Sequence, residues 1–112
     1  MNGDYEPSPE EILFTVKTPL GFSVRTTTDY WNLISTVKHP EMSDQLENVR
    51  RTLSDPDEVR ASKGSSQVYL FYRKDGEKRW VCAVTKRLTT QGFLVTAYRT
   101  SAIKKGKVLW QK

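Results

Sequence analysis

The chain has one histidine, His39, and one cysteine, Cys82. Imidazole is the side chain whose ordinary pKa, about 6.5, suits proton transfer at neutral pH, so His39 is the first candidate for acid–base chemistry. It lies in Lys38-His39-Pro40, and a residue before proline avoids helical backbone, which fixes it at a joint between two helices. A single imidazole serves one proton transfer at a time. A second group, or water, must serve the other. On the candidate last strand, alternation sets Leu94, Thr96 and Tyr98 on one side and Phe93, Val95, Ala97 and Arg99 on the other. The second set reads as the core side, which leaves a hydroxyl and a phenol exposed, with the cations Arg79, Lys86 and Arg87 at the ends of the preceding strand. Cys82 forms no internal disulfide and reads as a small buried residue of a reducing compartment. One His and one Cys do not make the usual zinc ligand sets, and the acidic residues match no calcium-loop spacing, so no metal or other cofactor is expected.

Charge is divided unevenly. Up to Glu58 the chain carries five Lys/Arg against eleven Asp/Glu, a net −6, and from Val59 onward thirteen Lys/Arg against only Asp75 and Glu77, a net +11. A basic half of this kind is the electrostatic footprint of a surface that meets phosphates, although a basic face also serves solubility. At 112 residues and 37% apolar the chain has room for one core and not for a two-domain enzyme. No run approaches the roughly 20 apolar residues of a membrane helix, and the acidic start lacks the basic-then-apolar pattern of a secretory signal, so a cytoplasmic protein with no membrane partner is expected.

The elements that must position these groups follow from pattern. Residues 1–10, with Pro7 and Pro9, read as a flexible arm, and 11–112 as a single α+β domain. The runs 12–17 and 22–26 form a hairpin through Pro19 and Gly21. Asp29 or Thr28 caps a helix with Tyr30, Leu33, Ile34 and Val37 on one face. Pro40 opens a second helix with the stripe Met42, Leu46, Val49 and Leu53, ended at Asp55-Pro56-Asp57. Three strands then follow at 67–73, 79–86 and 93–99 as an antiparallel meander, the first turn carrying Asp75-Gly76. On the middle strand Trp80, Cys82 and Val84 alternate with Arg79, Val81, Ala83 and Thr85, and either set could face inward. The tail packs back as a short strand or loop anchored by Trp110. The hairpin and two helices are expected on one face of the antiparallel sheet, leaving the other available.

Taken together, Lys38-His-Pro-Glu-Met42, Leu53-Ser-Asp-Pro-Asp-Glu-Val59 with Arg60 and Ser62, Tyr69-Leu-Phe-Tyr-Arg73, residues 81–86 and Gly92-Phe-Leu-Val-Thr-Ala-Tyr98 resemble the phage-type members of the barnase/EndoU/colicin/RelE-like nuclease superfamily over about residues 28–112. The resemblance implies a metal-independent, toxin-like endoribonuclease whose open sheet face holds RNA, with His39, Lys86, Thr96 and Tyr98 in the site. RNA carries its own nucleophile, so such an enzyme needs a proton acceptor, a proton donor and cations for the phosphorane. On this reading His39 makes one proton transfer and Tyr98 or water the other. Lys86 with Arg99 or Arg60 holds the phosphate, Thr96 orients it, and the products are a 2′,3′-cyclic phosphate and a 5′-hydroxyl. Arg79 is a further candidate phosphate ligand. Trp80, and Tyr69 or Tyr72 if exposed, would stack on unpaired bases. The partner of a toxin of this charge would be an acidic antitoxin or immunity protein.

Two other classes of function compete with this one. A nucleic-acid-binding module without catalysis would bind RNA with steep salt dependence and leave it intact. A protein-interaction domain would dock a partner through the acidic half or the hairpin edge. A DNA-reading helix is disfavoured, because the helices lean acidic where a recognition helix needs cations and amides.

Overall fold

β-Branched and aromatic runs alternate with turn residues along most of the chain, and the computed structural model, which describes residues 11–112, places seven strands in one sheet. The expected arm at 1–10 lies outside the described residues. The strands are β1 (Ile12–Lys17), β2 (Ser23–Thr27), β3 (Glu58–Ala61), β4 (Val68–Lys74), β5 (Trp80–Leu88), β6 (Gln91–Thr100) and β7 (Val108–Gln111), in the spatial order β1-β2-β6-β5-β4-β3-β7. The α+β class, the meander β4–β5–β6 and the returning tail stand as expected; the first hairpin forms, but it does not pack on a face of the sheet as expected, because pairing of β2 with β6 makes β1 and β2 the edge of the sheet itself. The expectation of a purely antiparallel sheet is corrected: β2 runs parallel to β6, through Ser23↔Gln91, Val24↔Gly92 and Arg25↔Phe93, so the sheet is mixed. Strand β3, four residues directly after the Asp55-Pro56-Asp57 stop, has no counterpart in the sequence expectation, being too short for alternation to mark.

Helix α1 (Thr28–Leu33) is capped by the Thr27 hydroxyl, which accepts from the Tyr30 amide at 3.1 Å. The helix then widens to a π-type turn over Ile34–Lys38, closed by the His39 amide on the Ile34 carbonyl at 2.7 Å. Pro40 explains the break: it cannot donate, and it forces His39 to an extended φ of −142°. Pro40 begins only a 3₁₀ turn, Pro40–Met42, and the second helix, α2 (Leu46–Ser54), starts four residues later than the apolar stripe suggested.

Both helices supply the core. Trp31, Ile34, Met42, Val49 and Leu53 pack with Val24, Val59, Phe71, Val81, Ala83, Leu94 and Ala97 on what we call the helix face of the sheet. The opposite face carries a smaller cluster, Leu70, Tyr72 and Cys82, flanked by Trp80, Val84, Tyr98 and Ile103. Among the described residues no helix is long and apolar enough to cross a membrane.

Candidate functional site

Strand β6 decides which side chains share a face. A bulge at Val95 shifts the pairing from Thr85↔Leu94 to Val84↔Thr96, and the extra residue reverses the alternation. Leu94 and Ala97 therefore both enter the core and Phe93 is exposed, which corrects the expected core set of Phe93, Val95, Ala97 and Arg99. Thr96 and Tyr98 do lie on the face opposite the helices, as expected. The ladders settle the ambiguity of β5 as well: Cys82 and Val84 share that face with Tyr98 and Thr96, while Val81 and Ala83 face the helices.

His39 reaches this face around the edge of the sheet. Beyond the Arg25↔Phe93 pair β2 departs, leaving the outer half of β6 open on that side. The helix joint fills the gap, where the Tyr30 hydroxyl donates to the Val95 carbonyl at 2.9 Å and Lys38 Nζ donates to the same carbonyl at 3.3 Å. The next residue, His39, packs its ring 5.5 Å from the Tyr98 ring with an interplanar angle of 42°. Its Nδ1 lies 3.4 Å from a Glu41 carboxylate oxygen, and about a third of the side chain is exposed. A carboxylate on Nδ1 fixes ring orientation and leaves Nε2 for a reacting proton. Lys104 Nζ stands 5.7 Å from the Tyr98 ring centre, so imidazole, phenol ring and ammonium form one group.

The two β6 hydroxyls do not open into a void. Thr96 Oγ1 and Tyr98 Oη are buried and make no hydrogen bond among the described residues. Burial, then the neighbouring Cys82 and Tyr72, pushes the Tyr98 phenol far above its ordinary value, so it is a poor proton carrier at neutral pH. Burial likewise pushes the Cys82 thiol up to about 11, leaving it an inert core residue. The segment 101–107 crosses this face from β6 to β7, where the Lys104 amide donates to the Tyr72 hydroxyl at 3.1 Å and the Ala61 amide to the Lys107 carbonyl at 2.9 Å.

The remaining candidates divide. Lys86 is on the same face, but its ladder partners are Val68 and Phe93, four residues along β5 from the Cys82↔Tyr98 pair. At strand rise that is about 13 Å, too far to share one phosphate oxygen with His39. Arg60 is on this face in line with Leu70, Val84 and Thr96, and it pairs with Glu58 and donates to the Lys104 carbonyl at 3.4 Å. Arg99 points to the helix face, where it bridges to Asp75 at 2.8 Å and reaches Gln45, so it cannot join Thr96 and Tyr98. Arg79 lines a hollow of about 250 Å³ with Arg99, Thr100 and Ser101, apart from His39. Trp80 packs against the Tyr72–Cys82 cluster with Lys74 5.5 Å from its ring centre. Tyr72 is buried and Tyr69 stacks edge-on against Phe22 at 5.3 Å, which removes both as base platforms.

Sequence reasoning passed over Lys38, Glu41 and Lys104. Glu41 follows His39 at a spacing of two across a proline turn, a visible signal. Lys104 depends on a tail that doubles back over the sheet, which no local pattern reveals. No protein-family model matches the chain, and neither a curated protein nor a solved structure does.

Proposed function

We propose that the protein is a metal-independent endoribonuclease whose acid–base group is His39. The observation that supports this reading is the packing of the one-third-exposed His39 ring on Tyr98, with Glu41 at its Nδ1 and Lys104 over the same phenol ring. In the reaction the 2′-hydroxyl attacks phosphorus, His39 Nε2 accepts its proton, and the bond to the 5′-oxygen breaks. The departing 5′-oxygen takes a proton from water, because the Tyr98 phenol is sealed off. Lys104 faces the charge that builds on the phosphorane, and Arg60, anchored by Glu58, borders the same surface. Tyr98 acts as a positioning residue for His39 through its ring, and Thr96, on the same strand face, has no role in the reaction.

The purified full chain, incubated with end-labelled RNA in EDTA, should release fragments ending in 2′,3′-cyclic phosphate. His39→Ala should slow release by about 10²–10⁴-fold, the usual contribution of a positioned acid–base group. Cleavage unchanged in that variant would remove His39 from the mechanism. A second reading, RNA binding without cleavage, is favoured by the burial of the Thr96 and Tyr98 hydroxyls. It predicts RNA recovered intact from a salt-sensitive complex.

A further inference from the structure

The parallel pairing of β2 with β6 lasts three residues and ends at Arg25↔Phe93. There β2 turns into α1 at Thr27 while β6 bulges at Val95, and the diverging chains leave a cleft of about 240 Å³ lined by Arg25, Thr26, Thr27, Tyr30, Phe93 and Leu94. A second hollow of about 190 Å³, reaching Thr89 and Gln91, shares Arg25 and Phe93 with the first, so the two form a groove with that pair at its middle.

The groove has the components a heteroaromatic ligand needs. Phe93 is 36% exposed, an unusual position for a phenylalanine, and among the described residues no ring or cation covers it, in contrast to Tyr98 and Trp80. Thr26 is 97% buried, and its hydroxyl makes no hydrogen bond among the described residues. Tyr30 is held rigid by its bond to Val95 and by Lys38 Nζ, 3.3 Å from its hydroxyl, which connects this cleft to the residue preceding His39. Arg25 supplies a cation, and Lys86 faces Phe93 across the β5–β6 ladder. The cleft is smaller than the roughly 300–1,000 Å³ of sites for drug-sized ligands, the right order for one ring system.

We propose that this cleft holds one unpaired nucleobase of the RNA next to the cleaved bond, stacked on Phe93, with its phosphate toward Arg25 and Lys86. The proposal rests on the ribonuclease reading for its place on the strand but not for its chemistry. A flat apolar face with flanking cations suits a base joined to a phosphate better than a bare anion or an aliphatic chain. It also gives Lys86 a role that its distance from His39 otherwise denies it.

The test is an amide chemical-shift titration of the full chain with each of the four 5′-nucleoside monophosphates. At least one should move the Arg25, Thr26, Phe93 and Leu94 signals. Phe93→Ala should weaken it about tenfold, as loss of a stacking platform does, while Phe93→Trp retains binding. Arg25→Gln should weaken the monophosphate but not the bare nucleoside, and His39→Ala should change neither. No shift with any of the four, shifts confined to the surroundings of Lys104, or unchanged affinity in Phe93→Ala would each overturn the proposal. Binding at Phe93 with RNA left uncleaved would sink the ribonuclease reading alone. Cleavage dependent on His39 without nucleotide at Phe93 would sink the base site alone.

Discussion

Tyr98 and His39 meet, yet the part of Tyr98 that meets the imidazole is its ring. Its hydroxyl has no partner among the described residues, so deleting it removes a desolvated group that returns nothing. Tyr98→Phe should therefore leave the urea midpoint unchanged or raise it. Tyr98→Ala, which removes the partly buried ring that supports His39, should cost about 3 kcal/mol, the lower end of aromatic truncations in a core. A fall in stability with Tyr98→Phe would show that the hydroxyl does find a partner. The same pocket sets a response to alkali. Burial raises Tyr72 to about 12 and Cys82 to about 11, and it raises Tyr98 further. Each group therefore holds its proton in the native state at a pH where the unfolded chain has already released it. Below the unfolded values, 9.0 for the thiol and 10.0 for the phenols, this makes no difference; above them the unfolded state is favoured. Urea midpoints should hold up to about pH 9 and decline through about pH 12, and Tyr72→Phe should flatten the decline.

Among the elements, patterns that repeat could be read from sequence and single-residue departures could not. The hairpin of β1 and β2, the Asp75-Gly76 turn with Gly76 at φ +94°, and the stripe Leu46, Val49, Leu53 are all periodic or carry turn chemistry. The bulge at Val95 is one extra residue in ten, and it exchanged Phe93 for Leu94 in the core. The parallel β2–β6 contact joins strands more than sixty residues apart, beyond any local signal. As for the site, the joint that carries His39 was visible because Pro40 announces it, and the shared face of Thr96 and Tyr98 followed from alternation. The burial of the Tyr98 hydroxyl was not visible, because the segment 101–107 lays Ile103 and Lys104 against that part of the face. That segment has its own test at Gly106, where an added Cβ would collide with the Ala61 carbonyl, a backbone atom that cannot swing aside. Gly106→Ala should cost about 1–3 kcal/mol, the range of overpacking, and should speed hydrogen exchange at the Ala61 amide before the amides of β5.

For the chain as a unit, the fold dissects the net +11 of its second half instead of presenting it all on one face. Arg99 is spent on Asp75, Arg87 lies over the Phe22 ring and Lys112 pairs with Asp55. Arg60 is neutralised by Glu58, and the other cations that border the His39 surface and the Phe93 groove are few: Arg25, Lys38, Lys86 and Lys104. Single-stranded RNA releases roughly 0.7 counterions per phosphate neutralised, so four contacts give a slope of log affinity against log salt of about −3. Engagement of all thirteen basic residues of that half would give about −9. The slope, measured with His39→Ala so that RNA survives the titration, thus reports how much of the basic half meets RNA. Lys86→Gln and Lys104→Gln should each make it shallower by about 0.7, while Arg99→Gln, on the helix face, should leave it unchanged. A steep slope reduced equally by all three substitutions would mean that RNA wraps both faces of the sheet. The face opposite the helices would then lose its claim to be the binding surface, and with it the reason to bring His39 and Phe93 to bear on one strand.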